Sequence, residues 1–455
     1  MSAAARPLSV VILAAGKGTR MRSSLPKVLH RVAGKPMLRH VLDAAAPLEP
    51  AKAVVVVGPD MPEVAEAAAP WPCAIQQKQL GTADAVKAAA PALEAEIAAG
   101  GELLILYGDG PLITSQTLEA MRAARQGADA PDFVWLGFRP ADPFGYGRLI
   151  EEGGKLARIV EEKDTDEAER AVGLCWAGLL LGRIEALFPL LDKIGNDNAK
   201  GEYYLTSLVA LAEAQGLTSG VVETAEAEEV LGVNSKIELA EAEAVMQRRL
   251  RRRAMEAGAT LEHPDTVILQ HDTVLEPDCL VEVNVVFGKA VTVRSGAKVR
   301  AFSHLEEAEV GAGTSVGPFA RLRGGVILGE EVRVGNFVEV KNSTFGKGAK
   351  ASHLTYVGDA SVGASANLGA GTITCNYDGF LKSRTEIGAG AFIGSNSALV
   401  APVTIGEGAI VGAGSTVTRD VGKDDMVVVR GKEVEVPGGA KRFRERRARQ
   451  KNKKD

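Results

Sequence analysis

The strongest constraint on this chain is a six-residue beat in its second half. Leu275, Val281, Phe287, Val293 and Val299 recur six apart. Aliphatic–glycine pairs follow: Val310-Gly311, Val316-Gly317, Leu328-Gly329, Val334-Gly335, Val362-Gly363, Leu368-Gly369, Ile387-Gly388, Ile393-Gly394, Ile405-Gly406 and Val411-Gly412. Most of the gaps are 6 or 12 residues. Such a period fits neither the 3.6 of a helix nor the strict alternation of a strand. It fits a solenoid whose coils have three flat faces, with the aliphatic residue pointing inward and the glycine helping the backbone turn a corner. One Val-Gly pair carries no information, but ten, with seven of their nine gaps equal to 6 or 12, predict a parallel β-helix over residues 258–435. The interval from Leu368 to Ile387 is 19 residues, one more than three periods, so TCNYDGFLKSR is expected to leave the coil as a protruding loop.

The first half reads differently. Over residues 1–235, short apolar runs at Val10–Ala14, Ala53–Val57, Leu103–Tyr107 and Phe133–Phe138 alternate with Ala-rich stretches of helical composition such as Thr82–Ala99 and Gln116–Gln126. Strand, helix, strand at this spacing predicts an α/β domain, a doubly wound, mostly parallel, Rossmann-like sheet. Residues 236–257 lack Gly and Pro and space Leu239, Met246 and Leu250 as a helix would, which predicts a linker helix. Its arginines, Arg248 to Arg253, read as a solvated face or as a basic patch toward an anionic partner. Residues 436–455 form a basic tail, with nine Lys or Arg against two acids from Ala440 onward. It reads as a disordered solvated terminus, or as a weak electrostatic contact with RNA or anionic lipid.

Composition narrows the class. A net charge of −5 argues against a chain that wraps nucleic acid. The four cysteines, at 73, 175, 279 and 375, form no CxxC pair and suit a reducing cytoplasm. The apolar stretch Leu8–Ala15 runs at once into glycines and charges, as a strand entering a loop does and a secretory segment does not. No run of 18 apolar residues offers a membrane span. The expectation is a soluble cytoplasmic protein of two domains.

Two groups of residues carry chemistry. Leu13-Ala14-Ala15-Gly16-Lys17-Gly18-Thr19-Arg20-Met21 follows the first strand, with Pro26-Lys27 close behind. The glycines let backbone N–H groups approach a polyanion, and Arg20 and Lys27 offset its charge. The spacing matches neither a P-loop nor a GxGxxG fingerprint. Asp109 ends a buried strand in Leu106-Tyr107-Gly108-Asp109; beside a phosphate loop it suits Mg²⁺, although alone such a carboxylate could cap a helix. In the solenoid, Arg321-Leu322-Arg323, Glu339-Val340-Lys341, Ser352-His353-Leu354-Thr355-Tyr356, Asn367 and Asn376-Tyr377-Asp378-Gly379 interrupt an aliphatic pattern. Residues one or two coils apart can share one edge as a pocket. A zinc site would need three convergent histidines, and His271, His304 and His353 lie far apart without ligand spacing.

From residue 8 to about 430 the chain resembles the bacterial family of bifunctional N-acetylglucosamine-1-phosphate uridyltransferases / glucosamine-1-phosphate acetyltransferases, most specifically in GAGTITCNYDG (369–379) and in the motifs QLGT, YGD, GYGR, VEEKD, GEYYLT and GVN. The resemblance implies a left-handed solenoid, a homotrimer, and the substrates glucosamine 1-phosphate, N-acetylglucosamine 1-phosphate, UTP and acetyl-CoA, with Mg²⁺. In the first half it implies Leu13, Ala14, Ala15, Gly16, Arg20, Lys27, Gln76, Gly81, Thr82, Tyr107 and Gly108 at the nucleotide. Asp109 and Asn234 would be the Mg²⁺ ligands, and Gly147 and Glu161 would hold the sugar. In the second half it implies His353 as general base and Arg323, Lys341, Tyr356 and Asn367 at the sugar phosphate, with Lys382 nearby. Acetyl-CoA would meet Ala370, Asn376, Tyr377, Ser395, Ala413 and Arg430.

Four positions depart from the family pattern, all in the first half: Trp176 for Asn, Ser207 for Asp, Asp84 for His, and Gly110 for Val or Thr. A Trp indole has one donor and no acceptor where an amide has both. Clustered around one pocket, these changes would imply a uridyltransferase of altered sugar specificity or reduced strength beside an intact acetyltransferase.

Overall fold

The computed structural model describes residues 6–127, 130–153, 155–198 and 201–451. They form two compact units: one runs to Arg252 and takes in Leu269–His271, and the other holds Arg253–Ile268 and everything from Asp272. The first unit therefore extends past the expected limit at 235. The helix Lys236–Glu256 buries Ala242 and Val245 against Met21, Val32, Met37, Leu112 and Val233, so most of it is part of that core. Nor is its arginine cluster a uniform solvated face. Arg251 is buried, Arg249 donates to the Leu112 carbonyl at 2.6 Å, and Arg248 pairs with Glu228 at 2.6 Å.

The core of the first unit is a sheet in the order Ser219–Glu223, Phe133–Phe138, Cys175–Arg183, Glu102–Tyr107, Leu8–Leu13, Lys52–Val57, Cys73–Ile75. The apolar runs of its central strands are continuous because helices cover both faces and those strands are buried on both; two separate apolar clusters mark the two faces. The four expected strands are present. Cys175–Arg183, which no expectation covered, runs antiparallel to both neighbours. Pro91 divides the expected helix over Thr82–Ala99 into Thr82–Ala88, a 3-10 turn Ala90–Leu93, and Glu94–Ala99.

The second unit is a left-handed parallel β-helix, three parallel sheets of 10, 8 and 8 short strands. Aliphatic residues fill the interior, as the beat predicts. Gly317, with φ 95°, does turn the backbone at a corner, but most of the paired glycines have a different reason from the expected one. Gly311, Gly335 and Gly394 do not take left-handed backbone; a Cβ on any of them would run into the backbone of the next coil. The left-handed corners fall instead on residues such as Phe302, Phe319, Phe337 and Leu354, with φ between 50° and 59°. Gly335 illustrates the cost. Its Cβ would collide with the Ser352 carbonyl, so Gly335→Ala should lower the melting temperature of the solenoid by the equivalent of about 1–3 kcal/mol. Gly195→Ala, where a Cβ meets nothing, should leave melting unchanged. Calorimetry on the full chain checks both.

Leu368 pairs with Ile393, 25 residues on, whereas Val316 pairs with Val334, 18 residues on. The surplus is the expected loop. It is closed by the Ser383 N–H donating to the Asn376 carbonyl at 2.9 Å and carries Phe380 and Leu381 in the open, 92% and 70% exposed. Beyond the coils, Gly439–Lys451 is a helix where a disordered tail is expected. Its Arg, Lys, Glu, Gln and Ala are all strong helix formers, and its side chains from Ala440 to Gln450 stand in solvent. No described helix is long and apolar enough to cross a membrane.

Candidate active sites

Strand Leu8–Leu13 lies between parallel neighbours Lys52–Val57 and Glu102–Tyr107, and the chain leaves its carboxyl end as the loop that begins at Ala14. Ligands of open α/β sheets gather at this edge. The Ala14 N–H donates to Val56 and the Gly108 N–H to Leu13, at 2.8 and 2.9 Å, which fixes where the loop departs. Gly18 has φ 60°, and a Cβ there would lie 2.6 Å from that of Lys27, so glycine brings the loop onto Lys27.

A cavity of about 610 Å³ opens here, lined by Leu13, Ala14, Ala15, Gly16, Arg20, Lys27, Gln76, Gly81, Thr82, Tyr107, Asp109 and Asn234. Gly147 and Glu161 line a second cavity of about 240 Å³ that shares Tyr107 and Asp109 with the first. Gly108 lines neither; its N–H is spent on the Leu13 carbonyl. The Lys27 ammonium donates to the Asp109 carboxylate and, at 3.0 Å, to Asn234 Oδ1. Both predicted metal ligands therefore aim an oxygen at one cationic position, and hard oxygen donors of this kind suit Mg²⁺. Burial pushes the Tyr107 phenol well above its ordinary value, opposed by a hydrogen bond with Thr82.

The motifs that follow one another in sequence interlock around these cavities. Tyr203 N–H donates to the Leu80 carbonyl at 2.8 Å, Ala83 N–H to the Tyr203 carbonyl at 3.0 Å, and Leu205 N–H to Thr82 Oγ1 at 3.0 Å. Thr206 donates to Glu161 at 3.1 Å and so orients it. The four departures do not crowd one pocket. Trp176 and Gly110 line the smaller cavity, Asp84 bonds to Gln76 behind the larger one, and Ser207 is exposed and lines neither. The Trp176 indole donates to the Leu179 carbonyl at 3.3 Å, and its ring meets Tyr107 and Trp135 edge-on. The smaller cavity stays open beside it.

In the solenoid, the ladder sets Asn336 opposite His353, and Ala351, Leu368, Ile393, Val411 and Val427 opposite one another in turn. Two residues beyond the last five come His353, Ala370, Ser395, Ala413 and Val429, with Arg430 next. The same spacing recurs in Asn396 N–H to Ala370 and Gly414 N–H to Ser395, both 2.8 Å. Three of the predicted acetyl-CoA residues, Ala370, Ser395 and Ala413, thus form one row, a position per coil, running through His353 to Asn336, and Arg430 follows the row's last position, Val429. His353 Nδ1 donates to Asn336 Oδ1 at 2.6 Å, which leaves a lone pair on Nε2. His353 is exposed and faces a groove of about 750 Å³ with Asn336, Phe319 and Phe337 in its walls.

A second cluster lies on another sheet. Arg323 and Lys341 are register neighbours, and Arg323 Nε donates to Glu339 at 2.7 Å. Lys341 Nζ is 3.6 Å from Asp359, which also accepts from Asn342 at 2.6 Å and from Asn376. Burial pushes the Asp359 carboxyl up, but these amides and the ammonium together hold it below the usual carboxylate range. Gly358 has no room for a Cβ because the Tyr356 hydroxyl and the Asn376 amide press against it. Lys382 joins from the loop, where its close approach to the Lys341 ammonium and that group's charge lower its pKa from the ordinary lysine value. Asn367 pairs with Lys350 and Phe392, apart from both groups, and Tyr377 stands exposed on the loop. No described hydrogen bond joins His353 to the Arg323–Lys341 cluster. Sequence reading missed Asn336 and Asp359; Asn336 had a signal, lying one coil (17 residues) before His353 and directly after a Val-Gly pair.

The MobA-like NTP transferase domain family matches residues 10–171, and the bacterial transferase hexapeptide family, as six repeats, matches residues 384–419. The bifunctional protein GlmU of Sphingopyxis alaskensis is 53% identical over 439 residues, 96% of each chain. That of Paramagnetospirillum magneticum is 52% identical over 455 residues, covering 99% of this chain and 100% of its own. That of Azorhizobium caulinodans is 54% identical over 450 residues, covering 98% and 99%. With both domain families in order and half of all residues shared along nearly the whole length, this chain belongs to the family of the bifunctional protein GlmU.

Proposed function

We infer that this chain is an enzyme with two activities: acetyl transfer from acetyl-CoA to the amine of glucosamine 1-phosphate, and uridylyl transfer from UTP to N-acetylglucosamine 1-phosphate with release of pyrophosphate. The observation that carries this reading is the separation of two polar constellations into two compact units, each with the chemistry that one reaction requires.

In the solenoid, Arg323, Lys341 and Lys382 offer three cations to the sugar phosphate, with Asp359 holding Lys341 and the Asn376 amide in place. Acetyl-CoA lies along the row from Arg430, next to its last position, through Ala413 and Ser395 to Ala370. The neutral amine attacks the thioester carbon: an N–C bond forms, the C–S bond breaks, and the amine proton goes to His353 Nε2 and from there to the departing thiolate. Sulfur leaves readily, so no covalent intermediate on the protein is needed.

In the first unit, Arg20 and Lys27 neutralise the triphosphate, and the backbone at Gly16 admits it. Glu161, fixed by Thr206, orients the sugar so that its phosphate oxygen faces the α-phosphate. Asp109 and Asn234 would hold Mg²⁺, which when bound adds charge neutralisation at the phosphates. Positioning and electrostatics supply most of this catalysis.

Four free cysteines support a cytoplasmic setting. A homotrimer is proposed as well, since Phe380 and Leu381 stand in solvent in the single chain. Light scattering should then give three times 47.6 kDa, and a monomer would refute it. The direct test of function is a paired assay on purified protein, measuring acetyl transfer and UTP-dependent pyrophosphate release. Absence of either product removes the corresponding half of the proposal.

A further inference from the structure

Gln76 lines the nucleotide cavity but is only 4% exposed, and its amide is held from behind. Nε2 donates to Asp84 Oδ2 at 2.8 Å and to the Gly81 carbonyl at 3.2 Å. A primary amide has two N–H donors, so both are spent. A carboxylate only accepts hydrogen bonds. Turning the amide over would set Gln76 Oε1 against a carboxylate oxygen and a carbonyl in a buried place, where unpaired polar groups are costly. Gln76 therefore has only its carbonyl oxygen left for a ligand.

We propose that Asp84 is a positioning residue that sets nucleobase specificity, by locking Gln76 as a pure acceptor so that the cavity selects a pyrimidine carrying N3–H. Uracil has N3–H between two carbonyls and meets Gln76 Oε1 as a donor. Cytosine has a bare N3 lone pair there and meets it oxygen to nitrogen, with no proton between. Without Asp84 only the Gly81 carbonyl, at 3.2 Å, still opposes the flip, so the amide turns more readily and serves either base. The proposal rests on the reading of this cavity as a uridine-nucleotide site and goes beyond it by naming what fixes the selection.

The test measures dissociation constants and kcat/KM for UTP and CTP with wild-type protein and with Gln76→Ala, Asp84→Ala and Asp84→Asn. The expected result is a UTP:CTP preference that Asp84→Ala reduces roughly tenfold, the worth of one misdirected hydrogen bond. Asp84→Asn, whose amide can present either an acceptor or a donor to Gln76, should fall between. A purely structural role for Asp84 would weaken both nucleotides equally and leave the ratio unmoved, and that outcome overturns the proposal. If the wild type itself shows no preference, the uridine reading of the cavity fails instead; if Gln76→Ala keeps the preference, selection does not run through Gln76 and the proposal is overturned. Should Asp84→Ala fail to fold, Asp84→Asn decides alone: an unchanged ratio overturns the proposal and a reduced one supports it.

Discussion

Replacing His353 by alanine should lower acetyl transfer by about 10²–10⁴-fold, the contribution of a positioned general base, and leave pyrophosphate release at the wild-type rate. The reasoning is geometric. His353 is the only ionisable member of its row between Ala370 and Asn336, and its Nδ1–H is committed to Asn336. Nε2 is then the one ring nitrogen able to take the amine's proton. The loss should fall on kcat, because Arg323 and Lys341, the cations proposed for the sugar phosphate, lie on a different sheet and remain. Asn336→Ala should reproduce part of the loss, since the ring is then free to turn and to place its proton on Nε2, and it should alter the pH profile of kcat more than KM. Steady-state kinetics of both reactions check this. Retention of acetyl transfer in His353→Ala, or an equal loss of both reactions, would remove the assignment.

Asp109→Ala should have the complementary effect, a loss of uridylyl transfer of at least 10²–10³-fold, on the scale of removing one preorganised electrostatic group, with acetyl transfer intact. Asp109 is at once a partner of Lys27 and a predicted metal ligand. Its removal releases the ammonium from its seat and deletes one of two convergent oxygens. Activity that survives should need more Mg²⁺ for half-saturation, which a titration of pyrophosphate release against Mg²⁺ measures. A full rate at the wild-type Mg²⁺ requirement would show that Asp109 is structural.

Much of this was legible in the residues, for reasons that differ by feature. The solenoid could be read because Val334-Gly335 and its equivalents repeat at a spacing that no other regular structure uses. The reason for the glycines could not, because the clash at Gly335 is with Ser352, a full coil away in sequence. Strand Cys175–Arg183 escaped because its direction is set by the neighbours it pairs with, not by its composition. The same holds in the sites. The loop at Gly16 and the carboxylate at Asp109 announce themselves through local motif. Asp84, Asn336 and Asp359 matter only through what they touch, and two of those partners come from other coils. Trp176 and Ser207 were misread together because their shared departure from a pattern suggested a shared location.

The row of positions beside His353 behaves like the graduations on a ruler. Its step is the strand-to-strand distance of a parallel ladder, about 4.8 Å, set by main-chain hydrogen bonds and therefore indifferent to which side chains occupy it. A cofactor laid along it is measured in whole coils. Substitution can retune each mark, but reach can be changed only by adding or deleting a complete turn of the wall, and a change made beyond Arg430 would leave the histidine end of the scale undisturbed.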